Sequence, residues 1–328
     1  MPSCSGCGSE VDPEDTYCRC CGKKLGEWVE TQRAGAAPHQ VENLYVEAFR
    51  SLFSPSPVRA PPHASVFAHR QQAPLTPYLV WAVMLLLMGL GASYGGEWMS
   101  YLGFTLAGYA APVLLLVWMV RGDRYEREPT ALVAYCFGWG AFIGIAAGIL
   151  NAVVTAPYLG LGGAGFIEEP LKALGVYLVA KSRLGGEFND HLDGMVYGAA
   201  AGAGFAGLEN FWYLYEMIVN NSYPALPAVL VRSMTAFMHI AWTAMAGRSL
   251  GIAKAVKGSV QLADLAPGVL VAALIHMAWN TAPPLIAFGF ILPFTVEALR
   301  RQISTALDDE RRWGYECFAP EEAPGEVE

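Results

Sequence analysis

Two adjacent carboxylates and a lysine interrupt an otherwise apolar stretch of the sequence. Glu168, Glu169 and Lys172 lie in GFIEEPLK, between AFIGIAAGILNAVV and ALGVYLVA. Ionisable side chains within a membrane segment are costly and usually serve a function. Lys172 follows the glutamates by four and three residues, so it shares a helical face with either one. The set predicts a carboxylate that acts as a general base, with an ion pair that fastens two helices as the alternative.

Three later apolar segments also carry polar side chains near their centres. Glu209 lies next to the end of the small-residue run DGMVYGAAAGAGFAGLEN, whose glycines and alanines let neighbouring helices approach closely. His239 follows Arg232 by seven residues, and His276 precedes Asn280 by four, so the members of each pair share a helical face. These segments therefore bring two imidazoles and a third carboxylate into the same apolar region as GFIEEPLK.

The elements that must position these side chains are membrane helices. The chain is 54% hydrophobic and only 15% charged, whereas soluble domains carry about 25% charged residues. We predict an all-α polytopic membrane protein with about eight transmembrane helices, in contact with the lipid bilayer. The predicted spans lie at roughly 77–96, 98–120, 131–154, 161–180, 192–217, 225–247, 265–283 and 284–299.

Among the segments that flank these spans, only alternate ones carry basic residues. Lys and Arg occur near 121–127, 181–183, 248–257 and 300–301, and the loops between them carry none. This distribution predicts a multi-pass protein of the cell membrane with both termini in the cytoplasm.

The predicted spans place the polar groups at similar depths. At about 1.5 Å per residue, Glu168, Glu209 and His276 fall roughly 10–14 Å below the non-cytoplasmic boundary, and His239 lies nearer the midplane. We therefore expect one shared polar cavity. Hydrolysis of a peptide bond needs an activated water and donors for the oxyanion, which carboxylate, imidazole and amide groups supply. A His/Glu set could instead hold zinc, although no HExxH motif occurs.

Four cysteines near the N-terminus have the spacing of a zinc ribbon. Cys4, Cys7, Cys18 and Cys21 form two C-x2-C pairs ten residues apart. Zinc prefers four thiolates in a tetrahedron, and a pair of disulfides is the alternative. Four protein ligands leave no open position, so we expect structural Zn²⁺ or a surface for a cytosolic protein partner.

The sequence divides into four predicted regions. Residues 1–25 form the zinc ribbon, and 26–76 form a Pro/Ala-rich linker with a short amphipathic helix. Residues 77–299 form the transmembrane domain, and 300–328 form an acidic disordered tail. The net charge of −8 argues against nucleic acid as a main partner.

Several motifs in the second half of the chain resemble the PrsW family of intramembrane proteases, which are kin of the CAAX prenyl endopeptidase superfamily. The resemblance covers most of residues 120–285. It is carried by DRYEREP (123–129), EEPLK (168–172), DG-x2-YG-x6-FAGLEN (193–210), FMHIAWTAMAG (237–247) and LIHMAWN (274–280).

This resemblance implies an endopeptidase that acts on membrane-anchored proteins such as anti-sigma factors. By analogy with the CAAX relatives, Glu168 would activate water, Glu169 and Lys172 would tune it, and His276 and Asn280 would form the oxyanion site. The chain has Glu209 where those relatives carry a histidine, so Glu209 is either a second carboxylate or a metal ligand. The resemblance therefore allows a reaction with or without a catalytic metal.

Two other classes of function fit parts of the sequence. Carboxylate and histidine relays also line the cavities of proton- or cation-coupled transporters. A non-enzymatic membrane scaffold or sensor could instead use the zinc ribbon as its active part.

Overall fold

The computed structural model describes Val11 and residues 75–313, apart from 93–95, 125–127, 183 and 186. All regular structure in these residues is helical, with no strand, which confirms the all-α prediction for this part of the chain. The predicted zinc ribbon, most of the linker with its amphipathic helix, and residues 314–328 lie outside the described residues.

Eight long helices follow one another along the described chain. They are α1 (Leu75–Ala92), α2 (Glu97–Gly122), α3 (Thr130–Leu150), α4 (Gly165–Lys181), α5 (His191–Tyr215), α6 (Ala225–Lys257), α7 (Ala266–Thr281) and α8 (Leu292–Trp313). Short π-helical turns follow α3 (Asn151–Thr155) and α5 (Glu216–Asn220) and precede α8 (Ala287–Ile291), and 3₁₀ turns precede α4 (Leu161–Ala164) and α7 (Leu262–Leu265).

Four helical segments of the described chain are long and apolar enough to cross a membrane. They are Trp98–Gly122, Thr130–Tyr158, Ala225–Lys257 and Leu262–Thr281, and Thr76–Ala92 is a shorter apolar helix. The helices therefore support a membrane protein, whereas the expected count of eight spans is not established. Apolar composition does not identify every membrane helix. Helix α5, for example, is surrounded by other helices and can therefore be rich in small and polar residues.

Helix α5 lies at the centre of the molecule. It is buried without interruption from residue 191 to 207, and it packs most extensively on α6, α3 and α2. Glycine is required where it approaches α6 closely, because a Cβ at Gly202 would lie 2.6 Å from the carbonyl oxygen of His239. The small-residue run identified in the sequence thus brings the polar side chains of α5 and α6 together.

The last helix corrects the predicted boundary of the C-terminal tail. Helix α8 ends at Trp313, so residues 300–313 are helical rather than disordered. Gln302, Ala306, Asp309 and Glu310 are buried, and their spacing defines one helical face. Oδ2 of Asp309 lies 3.2 Å from Nε2 of His191 at the start of α5. The acidic composition of the segment concealed this periodic face.

Candidate active site

Six of the seven predicted catalytic residues meet in one buried cluster. Helix α4 contributes Glu168, Glu169 and Lys172, α5 contributes Glu209, α6 contributes His239, and α7 contributes His276. The contacts below join five of these residues into one polar network inside the helical bundle, and Glu168 lies within 4.0 Å of both imidazoles. The sequence predicted one shared cavity, and the structure brings six of these side chains together in one cluster.

Lys172 is the cation at the centre of this cluster. Its Nζ lies 2.6 Å from Oε1 of Glu169, and both side chains are completely buried. The same Nζ lies 3.1 Å from Nδ1 of His239 and 4.5 Å from the centre of the Phe205 ring. An ammonium group has donors and no acceptor, so Nδ1 of His239 accepts this hydrogen bond. Lys172 therefore pairs with Glu169 and links α4 to α6.

The imidazole of His276 is held by a carboxylate and an indole. Its Nδ1 lies 2.8 Å from Oε1 of Glu169, and its ring stacks on Trp242 with centroids 4.3 Å apart and planes inclined by 23°. Oε2 of Glu169 accepts a hydrogen bond from the Thr243 hydroxyl at 3.3 Å. When Nδ1 donates to Glu169, Nε2 faces the cluster as an acceptor in the neutral ring or as a donor in the protonated ring.

Glu168 has one oxygen that accepts no hydrogen bond from the described residues. Its buried Oε2 lies 4.0 Å from Nδ1 of His239 and 3.9 Å from Nε2 of His276. These separations are too long for direct hydrogen bonds, and they are of the size that one bridging water spans. The other oxygen, Oε1, accepts a hydrogen bond at 2.8 Å from Nδ2 of Asn151.

Glu209 pairs with a cation on α6. Its Oε2 lies 2.5 Å from an Arg232 guanidinium nitrogen and 2.9 Å from Nε2 of His239. The Nε atom of Arg232 donates to Oδ1 of Asn210 at 2.8 Å, and Asn210 in turn donates to the carbonyl oxygen of Gly108 at 3.1 Å. Both nitrogens of His239 are therefore engaged, one by Lys172 and one by Glu209.

Asn280 lies at the edge of the cluster. Its side chain is half-buried, and its hydrogen bond within the described chain goes to the carbonyl oxygen of Leu161 at 3.3 Å. The structure thus places Asn280 one helical turn beyond His276, against the 3₁₀ turn that precedes α4, and shows no contact between its amide and the buried carboxylates.

The structure adds residues that the sequence analysis did not select. Asn151 and Thr155 approach Glu168 from the π-helical turn after α3, and Trp242 stacks on His276. Nε1 of Trp139 on α3 donates to the carbonyl oxygen of Leu171 at 2.9 Å, which ties α3 to α4. Asn151 is the one whose polar amide at the end of an apolar run could have been noticed in the sequence.

The donor set also fits a metal ion by ligand type. Glu168, Glu169, His239 and His276 each offer a ligand atom, and these atoms all lie within 4.8 Å of one another. The clearest ligand atoms are Oε2 of Glu168, which accepts no hydrogen bond from the described residues, and Nε2 of His276, which lies 3.9 Å from that oxygen. His239 and Glu169 could ligate only by giving up hydrogen bonds of the network.

A buried carboxylate with an open oxygen, set between two imidazoles on apolar helices, fits the class of intramembrane hydrolases. Comparison with known families agrees. The model for "PrsW family intramembrane metalloprotease" matches residues 128–299, just over half of the 328 residues, so the chain belongs to this family. It is an intramembrane protease.

Three curated relatives are all named Protease PrsW. Protease PrsW of Bacillus subtilis (strain 168) is 28% identical over 203 residues, covering 58% of this chain and 88% of the relative. Protease PrsW of Geobacillus kaustophilus (strain HTA426) is 33% identical over 118 residues, covering 33% and 50%. Protease PrsW of Clostridioides difficile (strain 630) is 27% identical over 143 residues, covering 38% and 59%. No solved structure shows a significant match to the chain.

Proposed function

We propose that this protease hydrolyses membrane-anchored proteins with Glu168 as the general base. The observation that carries the proposal is the open Oε2 of Glu168, buried within 4.0 Å of His239 and His276. A general base must lie within hydrogen-bonding reach of the proton that it removes, directly or through one water. The space beside Oε2 is where such a water would be held.

Each neighbour then has a defined task. Glu168 takes a proton from the water, whose oxygen attacks the scissile carbonyl carbon, and the resulting carboxylic acid gives that proton to the departing amine nitrogen. His276, in its protonated form, donates from Nε2 to the developing oxyanion. Glu169 orients His276 through Nδ1, and Lys172 holds Glu169 in place. Charge interactions of this kind are strong because Glu169 and Lys172 are buried away from bulk solvent.

Glu209 and His239 act as a supporting pair in this proposal. His239 receives a hydrogen bond from Lys172 and contacts Glu209, which Arg232 neutralises. The chain of contacts fixes the ring of His239 beside the open oxygen of Glu168. For Asn280, the proposed role is to brace the 3₁₀ turn before α4 through Leu161, and an additional contact with the substrate oxyanion would require its amide to turn away.

A metal-dependent variant of the same reaction uses the same residues. Glu168 and His276 would hold the ion, which would supply Lewis-acid polarisation of the carbonyl and a more acidic bound water. We favour activation by Glu168 alone, because the network engages both nitrogens of His239 and leaves two clear ligand atoms, fewer than the three protein ligands of typical catalytic zinc sites.

The proposal also covers the membrane spans, the zinc ribbon and the substrate class. Eight spans with both termini in the cytoplasm would carry the site at the depth of a transmembrane substrate. The Cys4, Cys7, Cys18 and Cys21 ribbon would bind structural Zn²⁺ and present a surface to a cytosolic partner. Membership of an intramembrane protease family supports a substrate that reaches the membrane, and we propose membrane-anchored proteins of the anti-sigma-factor type.

The test is cleavage of a panel of single-span membrane proteins by the purified enzyme in lipid vesicles, followed by mass spectrometry. Wild type is expected to cut at least one substrate, and Glu168→Gln to cut none. Glu216→Gln is the matched control, because Glu216 is an exposed carboxylate on the turn after α5. Equal cleavage by wild type and Glu168→Gln would overturn the role of Glu168, and cleavage by neither would overturn the substrate class.

A further inference from the structure

A short relay of side chains reaches Glu168 from the neighbouring helix α3. The Thr155 hydroxyl donates to Oδ1 of Asn151 at 2.9 Å, and Nδ2 of Asn151 donates to Oε1 of Glu168 at 2.8 Å. Among the described residues, no other side chain donates a hydrogen bond to Glu168. The relay therefore reaches Oε1 of the carboxylate, whereas the two imidazoles lie nearest Oε2.

The backbone that carries the relay departs from the α-helical pattern. Asn151 and Thr155 are the first and last residues of the π-helical turn that follows α3. The three residues between them are exposed, whereas Thr155 is only 2% exposed and Asn151 is half-buried. Single π-helical turns occur frequently at functional sites. Here the turn directs two polar side chains inward from a segment that is otherwise apolar and exposed.

The hydrogen bond from Asn151 holds the carboxylate of Glu168 in one orientation. The terminal torsion of a glutamate is broad and roughly two-fold, so the two oxygens of Glu168 exchange places easily when nothing holds them. A donor bound to Oε1 fixes the carboxylate plane and keeps Oε2 toward His239 and His276. The Thr155 hydroxyl similarly determines which end of the Asn151 amide faces Glu168, because the hydroxyl donates to Oδ1 and leaves Nδ2 as the donor.

We propose that Asn151 is a positioning residue for Glu168, and that Thr155 acts only through Asn151. The inference rests on the proposed role of Glu168 as the base. It assigns to the π-helical turn the task of aiming one carboxylate oxygen at the water that attacks the substrate, and a small misplacement of a catalytic group is enough to cost a large factor in rate.

The first test separates kcat from KM in the full-length enzyme. Asn151→Leu is expected to lower kcat about 10- to 100-fold and to leave KM within about twofold, since the amide orients the base and does not contact the substrate. Thr155→Val should lower kcat about three- to tenfold, and Thr155→Ser, which keeps the hydroxyl, should restore it. The double variant Asn151→Leu with Thr155→Val should match Asn151→Leu alone, because the two residues act in series.

Matched variants on another part of the chain control for helix damage. Asn220→Leu removes a similar amide–carboxylate contact, to Glu216, from an exposed π-helical turn, and Thr105→Val removes an exposed hydroxyl that bonds its own helix. Both should retain the wild-type kcat. An unchanged kcat in Asn151→Leu, an effect confined to KM, or fully additive losses in the double variant would each overturn the proposal.

A second readout does not depend on cleavage. A membrane-permeant carbodiimide labels buried carboxyl groups, and peptide mapping gives the labelling rates of Glu168 and Glu209 in the same sample. Asn151→Leu is expected to raise the labelling rate of Glu168 more than threefold, because Oε1 loses the donor that competes with the reagent, and to leave Glu209 unchanged. Unchanged labelling of Glu168 overturns the positioning role, even where cleavage by wild type upholds the proposed function. Absence of cleavage by wild type overturns the proposed function. In that case the labelling rate of Glu168 by itself tests whether Asn151 positions the Glu168 carboxylate.

Discussion

Nδ1 of His276 lies 2.8 Å from Oε1 of Glu169, although 107 positions separate the two residues in the chain. This contact joins α7 to α4 and leaves Nε2 of the same ring facing Oε2 of Glu168 at 3.9 Å. A carboxylate that fixes one nitrogen of an imidazole determines what the other nitrogen can do. The proposed division of labour, in which Glu169 orients and Glu168 reacts, follows from this pair of distances.

The first prediction concerns the completely buried ion pair of Glu169 and Lys172. Glu169→Gln or Lys172→Met should each lower the free energy of unfolding by about 3–5 kcal/mol, because removal of one partner leaves the other charge buried and unpaired. The double variant should be less destabilised than the sum of the two single variants. Thermal or denaturant unfolding in detergent provides the change in the free energy of unfolding for the two single variants and the double variant. If the change in the double variant equals the sum of the two single changes, Glu169 and Lys172 are not coupled.

The second prediction separates the two polar residues of α7. His276→Ala should lower kcat by at least about a hundredfold, since it removes a proposed donor to the oxyanion. Asn280→Ala should lower kcat by less than about tenfold, because its amide bonds Leu161 rather than the buried carboxylates. Kinetics of both variants on one substrate test this. Equal, large losses of kcat in the two variants would instead place Asn280 at the reacting carbonyl beside His276.

The third prediction concerns the close approach of α5 and α6. Gly202→Ala should destabilise the protein by about 1–3 kcal/mol and reduce its activity, because the new Cβ meets the backbone of His239 and pushes the helices apart. Gly138→Ala is the control, since a Cβ there meets no atom within 4 Å. Thermal unfolding and cleavage are measured for both variants. A Gly202→Ala protein as stable and active as the control would show that the helices separate at no cost.

The fourth prediction separates the two candidate metal sites. Wild type should contain one zinc ion per chain, and the variant with serine at Cys4, Cys7, Cys18 and Cys21 should contain none while keeping the cleavage activity. Elemental analysis of both purified proteins provides the counts. One metal ion retained by the serine variant, and lost on substitution of His276, would favour the metal-dependent reaction.

The grouping of the buried polar side chains could be predicted from the sequence because helix spacing and composition are local properties. Residue spacing on one helix placed Lys172 beside Glu169, and the cost of charge in lipid predicts a functional site on the same helix. The small-residue run correctly indicated the close packing of α5. These inferences need only the periodicity of a helix and the composition of its neighbours.

Other features depended on tertiary structure and could not be read from spacing. The relay from Asn151 to Glu168 crosses from α3 to α4 through a π-helical turn, which no sequence periodicity predicts. The amide of Asn280 shares a face with His276, yet it turns to the carbonyl of Leu161. The C-terminal helix was concealed because its buried face includes acidic side chains, one of which meets His191.

The most direct measurement is the initial rate of cleavage by wild type and by Glu168→Gln, each with and without a metal chelator, on one substrate in lipid vesicles. Equal unfolding temperatures should first confirm that both proteins are folded. We predict that chelation leaves the wild-type rate unchanged and that Glu168→Gln is slower by about a thousandfold, within the range that a general base contributes. A Glu168→Gln rate within tenfold of wild type, or a wild-type rate that chelation abolishes and zinc restores, would contradict activation of water by Glu168 alone.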